Sequence, residues 1–304
     1  MHSIICIGNP VYDIIETPSR KSKTRVLSGT STNSAISAKF LGSDVCILGA
    51  IGRDYVKLFE DCMRKHEIKT KVIVRDETTG FHLVYHPDGT RKLSLIGNAG
   101  KILPEDIKDF AFDFDGVVLG PVIYEVPPET IVYIRNKCPG YILLDPQGLM
   151  RRVRDGNIEH YFNYDDLREV FSSIDIIKPN EYEAYLISGK RDPYVSIEKI
   201  FDLLQIPVII TLAERGSIVY DGSQIAEIPS YRTSTIDSTG AGDTYAGAFI
   251  SKYVETKNII ESAAFASAMA SFVVEIFGAD YSFKFDDVRS RAEKILEGIN
   301  VREI

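Results

Sequence analysis

The sequence predicts an α/β fold, a mostly parallel sheet with helices on both faces, and three observations carry that prediction. From Asp115 onward short apolar runs alternate with longer amphipathic segments, the rhythm of strands joined by helical crossovers. The strand candidates 3–8, 45–50, 116–119, 141–144, 174–177 and 207–212 are apolar at nearly every position, as strands buried on both faces are. With 44% apolar and 26% charged residues over 304 positions, the chain has the composition and length for a sizeable core.

In chain order, residues 3–8 read as a buried first strand and not as a leader segment. No apolar run reaches the length of a membrane span, so the expected location is cytoplasmic. Residues 32–41 form a helix of small side chains, 45–50 a strand and 53–66 a helix. Polar, alternating segments break into this pattern at 24–27, 71–75, 80–86 and 91–96, with a hairpin turn at Pro87-Asp-Gly89. They suit a small sheet with one wet face, inserted as a lid in two pieces, at about 11–29 and 70–97, into a single domain of residues 1–304. Residues 218–220 and 224–228 form a hairpin through Asp221-Gly222, and helices follow at 242–253, 258–277 and 286–298.

A net charge of −8 argues against a general nucleic-acid or anionic-membrane binder. Cys6, Cys46, Cys62 and Cys138 show no close pairing and read as reduced thiols. His82 and His86 lie four apart, but in a strand without acidic neighbours, which is not a metal site.

The most informative stretch is Asp237-Ser-Thr-Gly-Ala-Gly-Asp243-Thr-Tyr-Ala-Gly-Ala-Phe249. Gly240, Ala241 and Gly242 lead directly into Asp243 and then a helix. The unpaired N–H groups of such a helix start, with the positive end of the dipole behind them, attract an anion, most often phosphate. A carboxylate among those amides suits an enzyme that holds a phosphoryl group and takes a proton from the group attacking it.

This segment resembles the C-terminal signature of the ribokinase family, the phosphofructokinase-B-type (PfkB) carbohydrate kinases. Lys178-Pro-Asn-Glu-Tyr-Glu183 resembles the family's Asn-x-x-Glu motif, while Asp13 and Ser28-Gly-Thr-Ser-Thr-Asn33 resemble its sugar-binding positions. The resemblance spans almost the whole chain and implies a ribokinase-like three-layer sandwich with a small β-sheet lid. It implies an ATP-dependent kinase acting on a hydroxyl of a small sugar, nucleoside or polyol. Asp243 is then the general base, the amides of Ala241, Gly242 and Asp243 form the anion hole, and Gly240 and Gly242 leave room for the phosphate. Asn180 and Glu183 organise Mg²⁺ through its water. Asp13, Gly29, Thr30, Asn33 and Arg151 face the acceptor; Asn180, Thr211, Gly216 and Gly242 face the nucleotide. Asp237 and Thr239 match positions where some members bind a monovalent cation such as K⁺.

Two features depart from the common pattern. Ser28-Gly29 stands where many members carry Gly-Gly, and Thr30 where ribokinases carry Lys, which argues against ribose. Asp145-Pro-Gln-Gly-Leu-Met-Arg151 resembles a segment of some archaeal members and of inositol kinases; Arg151 there steadies a phosphate, and Arg152 and Arg154 are solvated. Nucleosides, inositols and keto-sugar acids stay open as acceptors; Lys21, Lys23 and Arg25 keep sugar phosphates in the set. Pairing of two lids predicts a homodimer. The alternative is a non-catalytic sugar sensor on the same fold, against which the intact Asp243 and its glycine turn speak. A nicotinamide dehydrogenase fails because no dinucleotide glycine turn follows the first strand.

Overall fold

Alternation of buried side chains through the first strand sets the layers. Ile4 and Cys6 point to one face of it and Ile5 and Ile7 to the other, all fully buried. Both faces therefore need cover. A computed structural model of the chain describes residues 1–17, 20–22, 24–85, 91–154, 156–276 and 283–303.

The main sheet contains β1 (Ser3–Ile7), β5 (Asp44–Gly52), β6 (Lys69–Arg75), β9 (Gly116–Leu119), β10 (Tyr141–Leu144), β13 (Ile176–Ile177), β14 (Val208–Thr211), β15 (Ser217–Tyr220), β16 (Gln224–Ile228) and β17 (Asn300–Glu303). Their order is β17-β16-β15-β14-β13-β10-β9-β1-β5-β6. The strands from β6 to β14 run parallel, and β15, β16 and β17 are antiparallel additions. Helices α1 (Thr30–Phe40), α2 (Val56–Lys65), α7 (Ala241–Thr256), α8 (Ile259–Val273) and α9 (Phe285–Glu297) cover one face; α3 (Pro128–Lys137), α4 (Tyr164–Phe171), α5 (Glu181–Ser188) and α6 (Pro193–Leu204) cover the other. The chain leaves β1 toward β5 on one side and β9 on the other, which opens a crevice at the carboxyl ends of the strands. Among the described residues no helix is long and apolar enough to cross a membrane.

The small sheet contains β2 (Val11–Thr17), β3 (Arg20–Lys21), β7 (Gly80–Tyr85), β8 (Arg91–Gly97), β11 (Arg151–Arg154) and β12 (Asn157–His160), in the order β11-β12-β8-β7-β2-β3, with β4 (Val26–Ser28) also on β2. Two expectations are corrected here. Residues 71–75 belong to β6, paired in parallel with β5 at the edge of the main sheet; an edge strand covered on one side alternates just as a lid strand does. The small sheet also draws on a third segment, 151–160, whose polar sequence gave no strand signal. There Arg152 is not simply solvated: its guanidinium lies 4.1 Å from the centre of the Tyr124 ring and 5.1 Å from that of Tyr161. The Pro87-Asp-Gly89 turn, His86 and Lys23 lie outside the described residues. The Asp221-Gly222 hairpin forms as expected, with Asp221 Oδ1 accepting from the amides of Ser223 (2.9 Å) and Gln224 (3.1 Å). The C-terminal strand β17 was not anticipated.

Helices α1 and α7 pack closely because small residues line the seam. Ser34 Oγ donates to Asp243 O and Ser37 Oγ to Thr244 O, both at 2.8 Å. A Cβ at Gly247 would stand 2.0 Å from the Ser34 carbonyl oxygen. Gly247→Ala must therefore push the helices apart; the expected loss is about 1–3 kcal/mol of unfolding free energy, measured by urea denaturation. An unchanged midpoint would show that the seam has slack.

Candidate active site

The glycine turn sits where α7 begins, at the crevice. Gly240 has φ +78°, a conformation that favours glycine, and a Cβ there would stand 2.5 Å from Asn33 Nδ2. The helix ladder starts with Thr244 N–H donating to Gly240 O at 2.8 Å, and Ala241 N–H reaches back to Ser238 O at 3.3 Å. Among the described residues the amides of Gly242 and Asp243 have no backbone partner outside the helix. Two of the three expected amides are thus open to an anion. The nearest group to a Cβ built on Gly242 is Lys178 Nζ, at 3.8 Å. Protein packing alone leaves room for a side chain at Gly242, in contrast to Gly240.

Asp243 is half-buried among donors. Its Oδ1 accepts from Thr30 Oγ1 (2.9 Å) and Gln147 Nε2 (3.4 Å), and its Oδ2 from Asn33 Nδ2 (3.2 Å). Burial and the Asp145 charge push its pKa up; the bonds from Asn33 and Thr30 and the Lys178 charge pull it back. Asp145, after β10, pairs with Lys178, after β13, at 2.8 Å, and both side chains are almost fully buried. Burial disfavours the Lys178 ammonium, but Asp145 outweighs that and the Lys178 pKa is raised.

Asn180 caps α5. Its Oδ1 accepts from Glu183 N (2.9 Å), its backbone N–H donates to Glu183 Oε2 (2.9 Å), and its Nδ2 donates to Glu183 Oε1 (2.8 Å). The pair forms a reciprocal helix cap and also lines the crevice. Burial, then the Asp145 charge, push the Glu183 pKa up. Glu181 is exposed and pairs with Arg215.

Asp13 reaches the crevice from the small sheet. Its Oδ1 accepts from Phe81 N–H at 2.7 Å. Burial pushes its pKa up to about 7, against the Phe81 amide, the Ser28 hydroxyl and the Arg151 charge. Arg151 is buried and donates to Val122 O at 3.0 Å. His82 Nε2 lies 2.7 Å from Glu16 Oε1. Tyr85 and Thr239 join hydroxyls at 3.0 Å, tying the small sheet to the loop before α7.

One cavity of about 1230 Å³ unites these groups. Asp13, Gly29, Thr30, Arg151, Asn180, Glu183, Thr211, Gly216, Thr239 and the turn from Gly240 to Asp243 all line it, whereas Asn33 and Asp237 do not. Asn33 reaches the site through Asp243. Asp237 Oδ1 accepts from Thr239 N–H at 2.9 Å. The hydroxyl of Thr30 is engaged by Asp243. Gly216, at φ +94°, is required by packing, since a Cβ there would stand 2.1 Å from Ile228 O. Sequence reasoning gave no role to Asp145, Lys178, Gln147 or Tyr85. The available signal was a charged residue immediately after an apolar strand, which marks the ligand edge of a parallel sheet.

Asp13 gives a test of this burial. From an ordinary value of 3.8 its pKa rises to about 7 on folding. Between those values the folded chain binds more protons than the unfolded one, so this group's stability contribution is lost as pH rises through that window. Asp13→Asn should flatten the fall in Tm between pH 5 and pH 8; parallel Tm profiles for variant and wild type would contradict the burial.

Comparison with known proteins shows the family and the fold. The family description "pfkB family carbohydrate kinase" matches residues 1–285. A cytidine kinase of Thermococcus kodakarensis is 28% identical over 261 residues, covering 83% of this chain and 89% of its own. A ribokinase of Lactococcus lactis subsp. lactis is 24% identical over 296 residues, covering 94% and 92%. A pyrophosphate-dependent kinase of the ribokinase family, solved with a pyrophosphate analogue and myo-inositol, superposes with a TM-score of 0.82 at 22% identity, over 94% of this chain and 99% of its own. At that identity the likeness is one of fold.

Proposed function

The chain belongs to the pfkB family of carbohydrate kinases, and we propose that it transfers the γ-phosphoryl group of ATP to a hydroxyl of a small sugar, nucleoside or polyol. It is a phosphotransferase with an alcohol group as acceptor. The observation that carries the finer reading is Asp243, a half-buried carboxylate held by three donors at the N-terminus of α7, beside two open amides.

Asp243 takes the proton of the acceptor hydroxyl as that oxygen bonds to the γ-phosphorus. The bond from phosphorus to the bridging oxygen breaks and ADP leaves with the electron pair. The amides of Gly242 and Asp243, with the α7 dipole behind them, stabilise charge on the transferring group. Lys178 adds a buried cation beside Gly242. At the acceptor side, Asp13 and Arg151 offer a carboxylate and a guanidinium, and Val11, Phe81, Leu83 and Val122 offer an apolar wall. The small sheet acts as a lid that excludes water, with the Tyr85–Thr239 contact as its latch.

Mg²⁺ fits the donor set of Glu183 and Asn180 when held through its water, because both side chains already bond to each other in the helix cap. Its chemistry there is neutralisation of the phosphate tail. A monovalent cation near Asp237 and Thr239 would rest mainly on backbone carbonyls; the Asp237 side chain helps to shape that loop, its Oδ1 accepting from Thr239 N–H. The cavity continues along Ser267, Ala270, Ser271 and Val274 of α8 and the residue that follows it. This slot of small side chains favours a nucleotide donor over bare pyrophosphate. A homodimer through the small sheet is part of the same reading; among the described residues its end strands β3 and β11 have one neighbour each.

A turnover screen with ATP or pyrophosphate against nucleosides, cyclitols, free sugars and sugar phosphates tests the proposal. ATP-dependent phosphorylation of one class is expected; ligand binding without any turnover would favour a sensor. Asp243→Asn should lower kcat by about 10²–10⁴-fold with ATP affinity retained, and near-normal turnover would remove Asp243 as the base. Asp13→Ala should raise the acceptor KM far more than that of ATP. An equal change in both would contradict its place at the acceptor.

A further inference from the structure

We propose that Gln147, acting through Thr30, is a positioning residue that keeps Asp243 ionised and leaves Oδ2 as the atom that receives the acceptor's proton. The inference rests on Asp243 as the base and goes beyond it by assigning the hydrogen-bond network behind that base.

The chemistry of the contacts fixes their direction. Gln147 Nε2 lies 2.6 Å from Thr30 Oγ1 and 3.4 Å from Asp243 Oδ1. An amide nitrogen only donates, so the Thr30 oxygen accepts from Gln147 and turns its single proton to Asp243 Oδ1, at 2.9 Å. The reverse amide orientation would set the Gln147 carbonyl oxygen against a carboxylate oxygen with no proton between them. Oδ1 thus has both of its acceptor directions filled, one by Thr30 and one by Gln147. Among the described residues Oδ2 accepts a side-chain bond from Asn33 alone, at 3.2 Å, and keeps one direction open.

All three donors stabilise the ionised carboxylate, and hydrogen bonds to a charged group are stronger than those between neutral groups. The other charged groups around Asp243 are Asp145 and Lys178 at the strand ends and, more weakly, Asp13 on the small sheet. Asp145 and Lys178 are paired; the Asp145 charge raises the Asp243 pKa and the Lys178 charge lowers it. The donor network, together with Lys178, opposes burial of the charge and the repulsion from Asp145. In the reaction the acceptor proton passes to Oδ2, the acceptor oxygen bonds to phosphorus, ADP leaves, and the neutral acid then returns its proton to water.

The test titrates Asp243 directly, with no acceptor needed. In protein labelled with ¹³C at aspartate carboxyls, the Asp243 resonance is the one missing from Asp243→Asn. Its midpoint should rise by about one pH unit or more in Gln147→Leu and in Thr30→Val. It should stay near the wild-type value in Thr30→Ser, which restores the hydroxyl. A midpoint unchanged in both Gln147→Leu and Thr30→Val would overturn the proposal, as would Thr30→Ser shifting as far as Thr30→Val. Gln147 is only partly buried, so its variant tests the network even if Thr30→Val fails to fold. A parallel turnover assay with ATP and cytidine, ribose or myo-inositol separates the two readings: absence of any turnover counts against the kinase assignment, whereas the titration decides the network alone.

Discussion

The close approach of α1 to α7 is the constraint on which the rest of the site depends. Ser34 and Ser37 donate to carbonyls of α7, and Gly247 leaves the Ser34 carbonyl the space a Cβ would fill. With the seam this tight, both helices bring their N-termini to the same crevice. Thr30 and Asn33 on the first turn of α1 then reach the Asp243 carboxylate on the first turn of α7. Two helix dipoles and three side-chain donors converge on one carboxylate, which stabilises a charge that burial alone would expel.

The carboxyl edge of the parallel sheet supplies the remaining charges. Asp145 and Lys178 extend from β10 and β13 and satisfy each other out of water. A buried pair of this kind is a weak source of stability; its value here lies in setting a cation beside Gly242 while holding the negative potential at Asp243 in check. The crevice is polar at the start of α7 and apolar along the small sheet, the division expected of a site that fixes two charged or hydroxylated reactants and keeps water away.

Much of this architecture was legible in the sequence. The β1, β5, β9 and β10 runs are apolar on both faces, which only a sheet sandwiched between helices satisfies, and the glycine turn with Asp243 stands in one contiguous stretch. What was not legible depends on contacts between distant segments. Gln147 and Thr30 are 117 positions apart, and no local pattern joins them. Edge strand β6 and a lid strand share one alternation, so residues 71–75 fell on the wrong sheet. The hairpin 151–160 is too polar to announce a strand, because it forms the outer end of a small sheet. The glycines also looked alike in sequence; coordinates separate Gly240 and Gly216, demanded by backbone conformation and packing, from Gly242, where protein alone demands little.

The central claim is that a phosphoryl group sits between the start of α7 and Asp243. A crystal structure with Mg²⁺, ADP and aluminium fluoride tests it most directly. The account predicts the fluoride group against the amides of Gly242 and Asp243, next to Lys178, with its outer face toward Asp243 Oδ2. Density for that group elsewhere, with the Asp243 carboxylate facing no part of it, would contradict the account.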